Sequence, residues 1–317
     1  IADNNPLSRY NCRQQDSVLY PEFIDLSLSM VPFMKINYSE ITSATNPKIK
    51  AIKKLEQKRQ RDREGLFVIE GFHLVEEAIQ HHAEIEMILH TDTADQSQLA
   101  GIKAMLQQNT AELPSSIEII TITDSILTTL SQTPAPQGIL AILKQPKQVL
   151  EEILVGKTKT NTAKLAKQRP LQHLLLLDNV QDPGNVGTMI RTAEAAGFKA
   201  IILGEGSADL YNDKTIRATQ GALFQLPIIR GNLEELLPKI HNAGYESWVT
   251  TLEEATFYHE LAKPAKCALI MGNEGKGVDP KLQKLATTKV KIPMLGQSES
   301  LNVGIAAGIL IYDLMPK

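Results

Sequence analysis

From Leu171 onward the chain is written in short apolar blocks separated by polar, glycine-containing turns. Leu174 to Leu177 is apolar at every position, the pattern of a parallel strand covered on both faces. AIILG, SWVTTL, CALIMG and TKVKIP repeat the theme downstream, and helical stretches lie between them. One helix, near 185 to 196, stops at Gly197, a residue suited to the position just past a helix end. Another, Leu233 to Ala243, follows Asn232 with Glu235 three places on, a capping-box-like start. Strands alternating with helices predict an open, mostly parallel α/β sheet over residues 171–317. Residues 34–144 mix the same elements in a smaller α/β domain: a turn leading into a helix near 47 to 60, a strand LFVIEG, a helix near 72 to 81, a strand near 85 to 90, and GILAILK to close it. Residues 145–170 carry Lys157, Lys159, Lys164, Lys167 and Arg169 with no acid after Glu152, and read as a basic linker. Residues 1–33 show no sustained period and stand apart as an unassigned extension; Met34 reads as a natural start.

At 317 residues, 43% hydrophobic and 22% charged, the chain is long enough for two cores. Its two cysteines, Cys12 and Cys267, form no disulfide framework and show no metal-ligand spacing, so a reducing compartment is expected and no metal. The longest apolar run falls short of the ~20 residues that span a bilayer, and no apolar leader follows a basic start. The expectation is a cytoplasmic protein without a membrane partner. A net charge of -3 conceals a local excess: between Lys48 and Arg63 eight residues are Lys or Arg, against Glu56 and Asp62. On a helix, Lys48, Lys53, Lys54, Arg59 and Arg61 would make a phosphate-binding stripe; a merely solvated face is the competing reading.

Three segments carry the candidate chemistry. In DNVQDPGNVGTMIRT, Pro183 and the flanking glycines break any regular period, so a loop must feed a helix whose first turn offers unpaired N–H groups. Asn185 lies at that turn and Arg191 one turn or more further in. GNEGKG follows the strand CALIM but is neither a Walker loop nor a dinucleotide fingerprint. Its Gly272, Gly275 and Gly277 permit close backbone approach, and Glu274 adds a carboxylate. In KIPMLGQSESLNVGIAAGILIYD a strand ends at Ile292, Pro293 and Met294, a polar loop turns, and Ser300 caps a helix beginning with Leu301 and Asn302. That helix is apolar nearly all round and must be buried.

The ordered set of these three segments resembles the signature motifs of the SpoU (TrmH) branch of the SPOUT RNA methyltransferases, over roughly Met34 to Met315. Asn185 and Arg191 match its first motif, Glu274 its second, Ser300 and Asn302 its third. The resemblance implies S-adenosylmethionine as cofactor, bracketed by Gly272, Ile292, Met294 and Leu301, and methyl transfer to a ribose 2′-hydroxyl of structured RNA, most plausibly ribosomal. It further implies a C-terminal trefoil knot, an N-terminal L30e-like RNA-binding domain, and a homodimer with its site at the subunit interface. Transfer RNA as substrate, methylation of a base, and a non-catalytic ribosome-assembly role stand as alternatives.

Overall fold

The structure is a computed structural model and describes residues 35–109, 116–155 and 171–316. Most of the expected basic linker, residues 156–170, and the extension 1–33 lie outside the described residues.

The first layer is a five-stranded sheet of β1 (Lys35–Ile41), β2 (Leu66–Glu70), β3 (Ile85–His90), β4 (Ser116–Ile122) and β5 (Ile139–Lys144), in the order β1-β4-β3-β5-β2. Helices α1 (Pro47–Lys54) and α2 (Lys58–Glu64) precede β2; α3 (Phe72–Gln80), α4 (Gln96–Gln108) and α5 (Asp124–Leu130) fill the crossovers. The single helix expected over 47 to 60 is in fact two. Asn46 caps α1 through its side-chain oxygen on Lys48 N at 2.8 Å, with Pro47 in the first turn. Gln57 then adopts an extended conformation and α2 starts afresh. Arg61 makes the break tolerable, because its Nη1 donates to the carbonyls of Leu55 and Glu56, each at 2.7 Å, which the helix end leaves open. A second correction concerns Lys35–Ile41, expected as a turn, which forms an edge strand parallel to β4.

The second layer is a seven-stranded sheet in the order β10-β12-β9-β11-β6-β7-β8, parallel at every described pairing. Its strands are β6 (Leu174–Leu177), β7 (Ala200–Gly204), β8 (Ile228–Gly231), β9 (Glu246–Thr250), β10 (Thr256–Phe257), β11 (Cys267–Met271) and β12 (Thr288–Lys291). β6 and β11 are adjacent at the centre and wholly buried, as their unbroken apolar runs require. Helix α6 (Leu150–Val155) lies inside the stretch read as linker, with Leu150 and Ile153 packed beside Leu174 and Leu176. The remaining α-helices among the described residues are α7 (Pro183–Ala195), α8 (Asp213–Thr219), α9 (Leu233–Asn242), α10 (Pro280–Leu285) and α11 (Val303–Asp313). Gly197, just past α7, takes φ +79°, which a side chain would resist.

One apolar core runs through both layers, joining Phe67, Ile69 and Val75 to Tyr211, Leu223 and Phe224. The rings of Phe67 and Tyr211 lie 4.4 Å apart between centroids. Around this contact Arg61 pairs with Asp209, while Arg230 bonds Asp209 at 3.2 Å and Asp62 at 3.1 Å and covers the Tyr211 ring. The two sheets are therefore docked through a defined seam of aromatic and ionic contacts.

Candidate active site

The three chemistry-bearing segments leave the carboxyl ends of β6, β11 and β12, which the parallel pairing brings to one side of the second sheet. The first becomes α7, capped by Asp182, whose Oδ1 accepts Asn185 N at 2.8 Å; Lys214 reaches the other oxygen at 3.0 Å. The second is a tight glycine loop. Asn273 folds it by accepting Gly275 N and Lys276 N, each at 3.0 Å, and ties it back by donating Nδ2 to Asn179 O at 2.9 Å. A Cβ at Gly272 would stand 2.3 Å from the backbone of Gly277 and Val278, so the close return of the loop requires glycine there. The third reaches α11 through Asn302, whose Oδ1 accepts Gly304 N at 2.9 Å and Ile305 N at 3.2 Å. Ser300, expected as that cap, is instead an exposed side chain two residues upstream; Asn302 occupies the capping position.

Hydrogen bonds connect all three segments. Glu274 accepts from Gln181 N at 3.1 Å, Asp182 N at 3.0 Å and Asn185 Nδ2 at 3.1 Å. Asn302 Nδ2 in turn donates to Asn185 Oδ1 at 3.1 Å. Partial burial alone would push the Glu274 carboxyl up, but the donors from Asp182, Asn185 and Gln181 outweigh it and hold the group below the ordinary glutamate value. Behind the loop, burial raises the Asp178 carboxyl, which accepts Asp279 N at 2.7 Å and so anchors the start of α10.

Beside this network opens a cleft of about 640 Å³. Gly272, Glu274, Ile292, Met294, Ser300 and Leu301 all line it, with Met271, Val303 and Leu310 as apolar wall. Asn185 and Asn302 stand at its border rather than in its lining. Arg191 is apart: it is exposed on α7, outside the lining, with no hydrogen-bond or ion-pair partner among the described residues. Asp182, Asn273 and Asp178 were not anticipated from the sequence, although Asn followed by Glu-Gly is a side-chain-closed turn by its composition.

The cationic stripe is dispersed. Arg61 is 5% exposed and committed to Asp209 and the end of α1, so it is withdrawn from any RNA-facing surface. Lys48 pairs with Glu118 at 2.6 Å, and Lys53 with Glu56 and the carbonyl of Thr129. Lys54 and Arg59 are exposed. Among the described residues no group of three or more His, Cys, Asp or Glu is placed to hold a metal, and no helix is long and apolar enough to cross a membrane.

Residues 172–312 match the model of the SpoU rRNA methylase family, and residues 46–141 that of the MRM3-like substrate-binding domain. A Bacillus subtilis protein named 23S rRNA (guanosine(2553)-2′-O)-methyltransferase RlmP is 37% identical over 87% of this chain and 98% of its own. The chain belongs to the SpoU methylase family. An rRNA methyltransferase from Sinorhizobium meliloti has the same fold, with a TM-score of 0.72 at 30% identity over 88% of this chain and 97% of that one. A second structure of a Sinorhizobium meliloti rRNA methyltransferase, bound to AdoMet, matches with the same TM-score and identity over 87% of this chain. As a SpoU methylase this protein is an RNA ribose 2′-O-methyltransferase that uses S-adenosylmethionine. The cleft suits that cofactor: apolar Ile292, Met294 and Leu301 offer a slot for a flat base, and a glycine loop offers backbone polar groups beside it.

Proposed function

We propose that this SpoU methylase modifies a ribose of the large-subunit ribosomal RNA in the cytoplasm, as a homodimer, with residues 34–144 holding the RNA and 171–317 performing the transfer. The observation that carries the reading is the chain of hydrogen bonds from Glu274 through Asn185 to Asn302 at the border of the cleft. The similarity to RlmP along almost its whole length supports 23S-type RNA.

When bound, S-adenosylmethionine supplies a methyl group already activated on sulfonium. The chain's own task is then to align a 2′-hydroxyl for in-line attack, and positioning of this kind can provide much of the rate. Glu274 is a weakened base with its oxygens occupied by three donors, so it organises the loops and leaves proton removal to another group. Ser300, exposed at the cleft, is available to orient the ribose. A guanidinium does not deprotonate in proteins; Arg191 binds RNA phosphate and offsets charge that develops in transfer. Because Arg191 lies outside the cleft of its own chain, it acts at the cleft of a second copy. Helix α11, which packs along α7, leaves Ile305 59% and Tyr312 54% exposed and gives such a copy an apolar face to cover.

The test is tritium transfer from labelled S-adenosylmethionine to 23S and transfer RNA, with the product mapped by resistance of the modified linkage to alkali. A resistant linkage in 23S RNA is expected; an alkali-labile one would indicate a base product and refute the reading. Arg191→Ala should lose turnover while calorimetry shows cofactor affinity retained, and wild-type turnover would remove Arg191 from the site. Light scattering should report a dimer.

A further inference from the structure

The pairs that disperse the basic stripe also concentrate what remains of it. With Lys48, Lys53 and Arg61 committed elsewhere, and Arg63 of α2 paired with Glu64 at 2.7 Å, Lys50 and Lys54 of α1 stand exposed beside a groove of about 400 Å³. Pro47, Lys50, Ala51 and Lys54 share one face of α1 by helical spacing, opposite the face that buries Ile49 and Ile52. Between α1 and α2 the groove reaches the sheet, where Leu66 and Met87 are only half covered. Its floor is therefore apolar and its rim cationic from Lys50 and Lys54, while Glu64, the acid among the described lining residues, is matched by Arg63. The volume falls within the range of small-ligand sites.

We infer that this groove takes an unpaired nucleotide of the RNA, its base lying on Leu66, Met87 and Ala51 and the flanking phosphates on Lys50 and Lys54. The inference rests on the reading that the substrate is RNA, and adds where the strand is held and in what form. A cationic rim alone attracts any polyanion; an apolar floor rewards only a base that has left its stack. Paired RNA keeps its bases inside the helix, so the groove discriminates for loops, bulges and ends.

The experiment uses the full chain without cofactor and a fluorescein-labelled RNA hairpin with an unpaired loop, beside the same strand closed into a continuous duplex. Lys50→Glu combined with Lys54→Glu should weaken hairpin binding by roughly tenfold at low salt and flatten the salt slope by about 0.7 for each phosphate no longer neutralised. Ala51→Phe, on an exposed helix position, should fill the slot. It should weaken hairpin binding while leaving the salt slope and the duplex affinity as in wild type. Circular dichroism and a wild-type-like melting transition establish that each variant is folded. Charge reversal without effect on either RNA would assign the groove to another kind of partner and overturn the proposal. So would an Ala51→Phe variant that binds the hairpin like wild type, or one that loses hairpin and duplex equally. Because binding is read without methyl transfer, its outcome stands apart from the identification of the methylated group.

Discussion

Replacing Glu274 by Ala removes the one acceptor shared by Gln181 N, Asp182 N and Asn185 Nδ2. Each bond contributes about 1 kcal/mol in a partly hydrated setting, since water replaces some of what is lost. Three together couple the loops after β6 and β11 by roughly 2 to 3 kcal/mol, or about 30- to 150-fold in kcat/KM if the whole coupling is expressed in the transition state. Glu274→Gln keeps one oxygen but turns an NH2 group toward a backbone donor, so it should lose about half as much on a logarithmic scale. The order wild type, Gln, Ala should appear in tritium-transfer rates, with a smaller trend in melting temperature. An Ala variant within threefold of wild type, or a Gln variant worse than Ala, would refute the organising role.

Further outcomes follow from the geometry of the cleft and of the seam. Below the ordinary glutamate value the network should fail: the folded pKa of Glu274 is lowered, so its stabilisation is present above the unfolded value and lost as pH falls through the folded one. The difference in melting temperature between wild type and Glu274→Gln should accordingly be constant above pH ~5 and shrink in acid. Asn302→Ala should cost about 1 kcal/mol through the lost cap of α11. Asn302→Asp keeps the cap acceptor but not the donor to Asn185, so it should spare the melting temperature while depressing turnover; an Asp variant of normal activity contradicts this. Gly272→Ala must push Gly277 and Val278 away, and calorimetry should show weakened cofactor binding. Asp209→Ala leaves the Arg61 side chain, 6% exposed, without its carboxylate; a loss of about 3 kcal/mol is expected in denaturant unfolding, and a loss under about 1 kcal/mol would dismiss the seam as an anchor.

The parallel sheet is legible because its central strands β6, β7 and β11 carry unbroken apolar runs, and the loops of the candidate site because proline, glycine and asparagine interrupt the periods where they begin. Other features depend on partners distant in sequence. Nothing between Ile49 and Gln60 breaks a helix by composition; the break is sustained by Arg61, whose own commitment depends on Asp209, 148 residues further on. Charge density alone thus overstated the RNA-facing stripe. Lys35–Ile41 escaped notice because an exposed edge strand shows little alternation. Helix α6 is too short for periodicity to reveal, although Leu150 and Ile153 are both buried. Ser300 is a favoured cap by residue type, but so is asparagine, and turn geometry gives the position to Asn302.

The pairing of β6 with β11 joins residues more than ninety positions apart, and the Asn185–Asn302 bond spans 117. Contacts of such long range form late, after the entropy of closing the intervening chain has been overcome. On the ribosome, a nascent chain stopped before Asn302 would have its first sheet, β6 and β11 available, yet lack the Asn302 donor and the apolar wall from Val303 and Leu310. On the proposed reading of the cleft, cofactor capture should report completion of synthesis and of the slow final docking together. Pulse-labelled chains should become able to bind S-adenosylmethionine only after a lag that follows the emergence of α11.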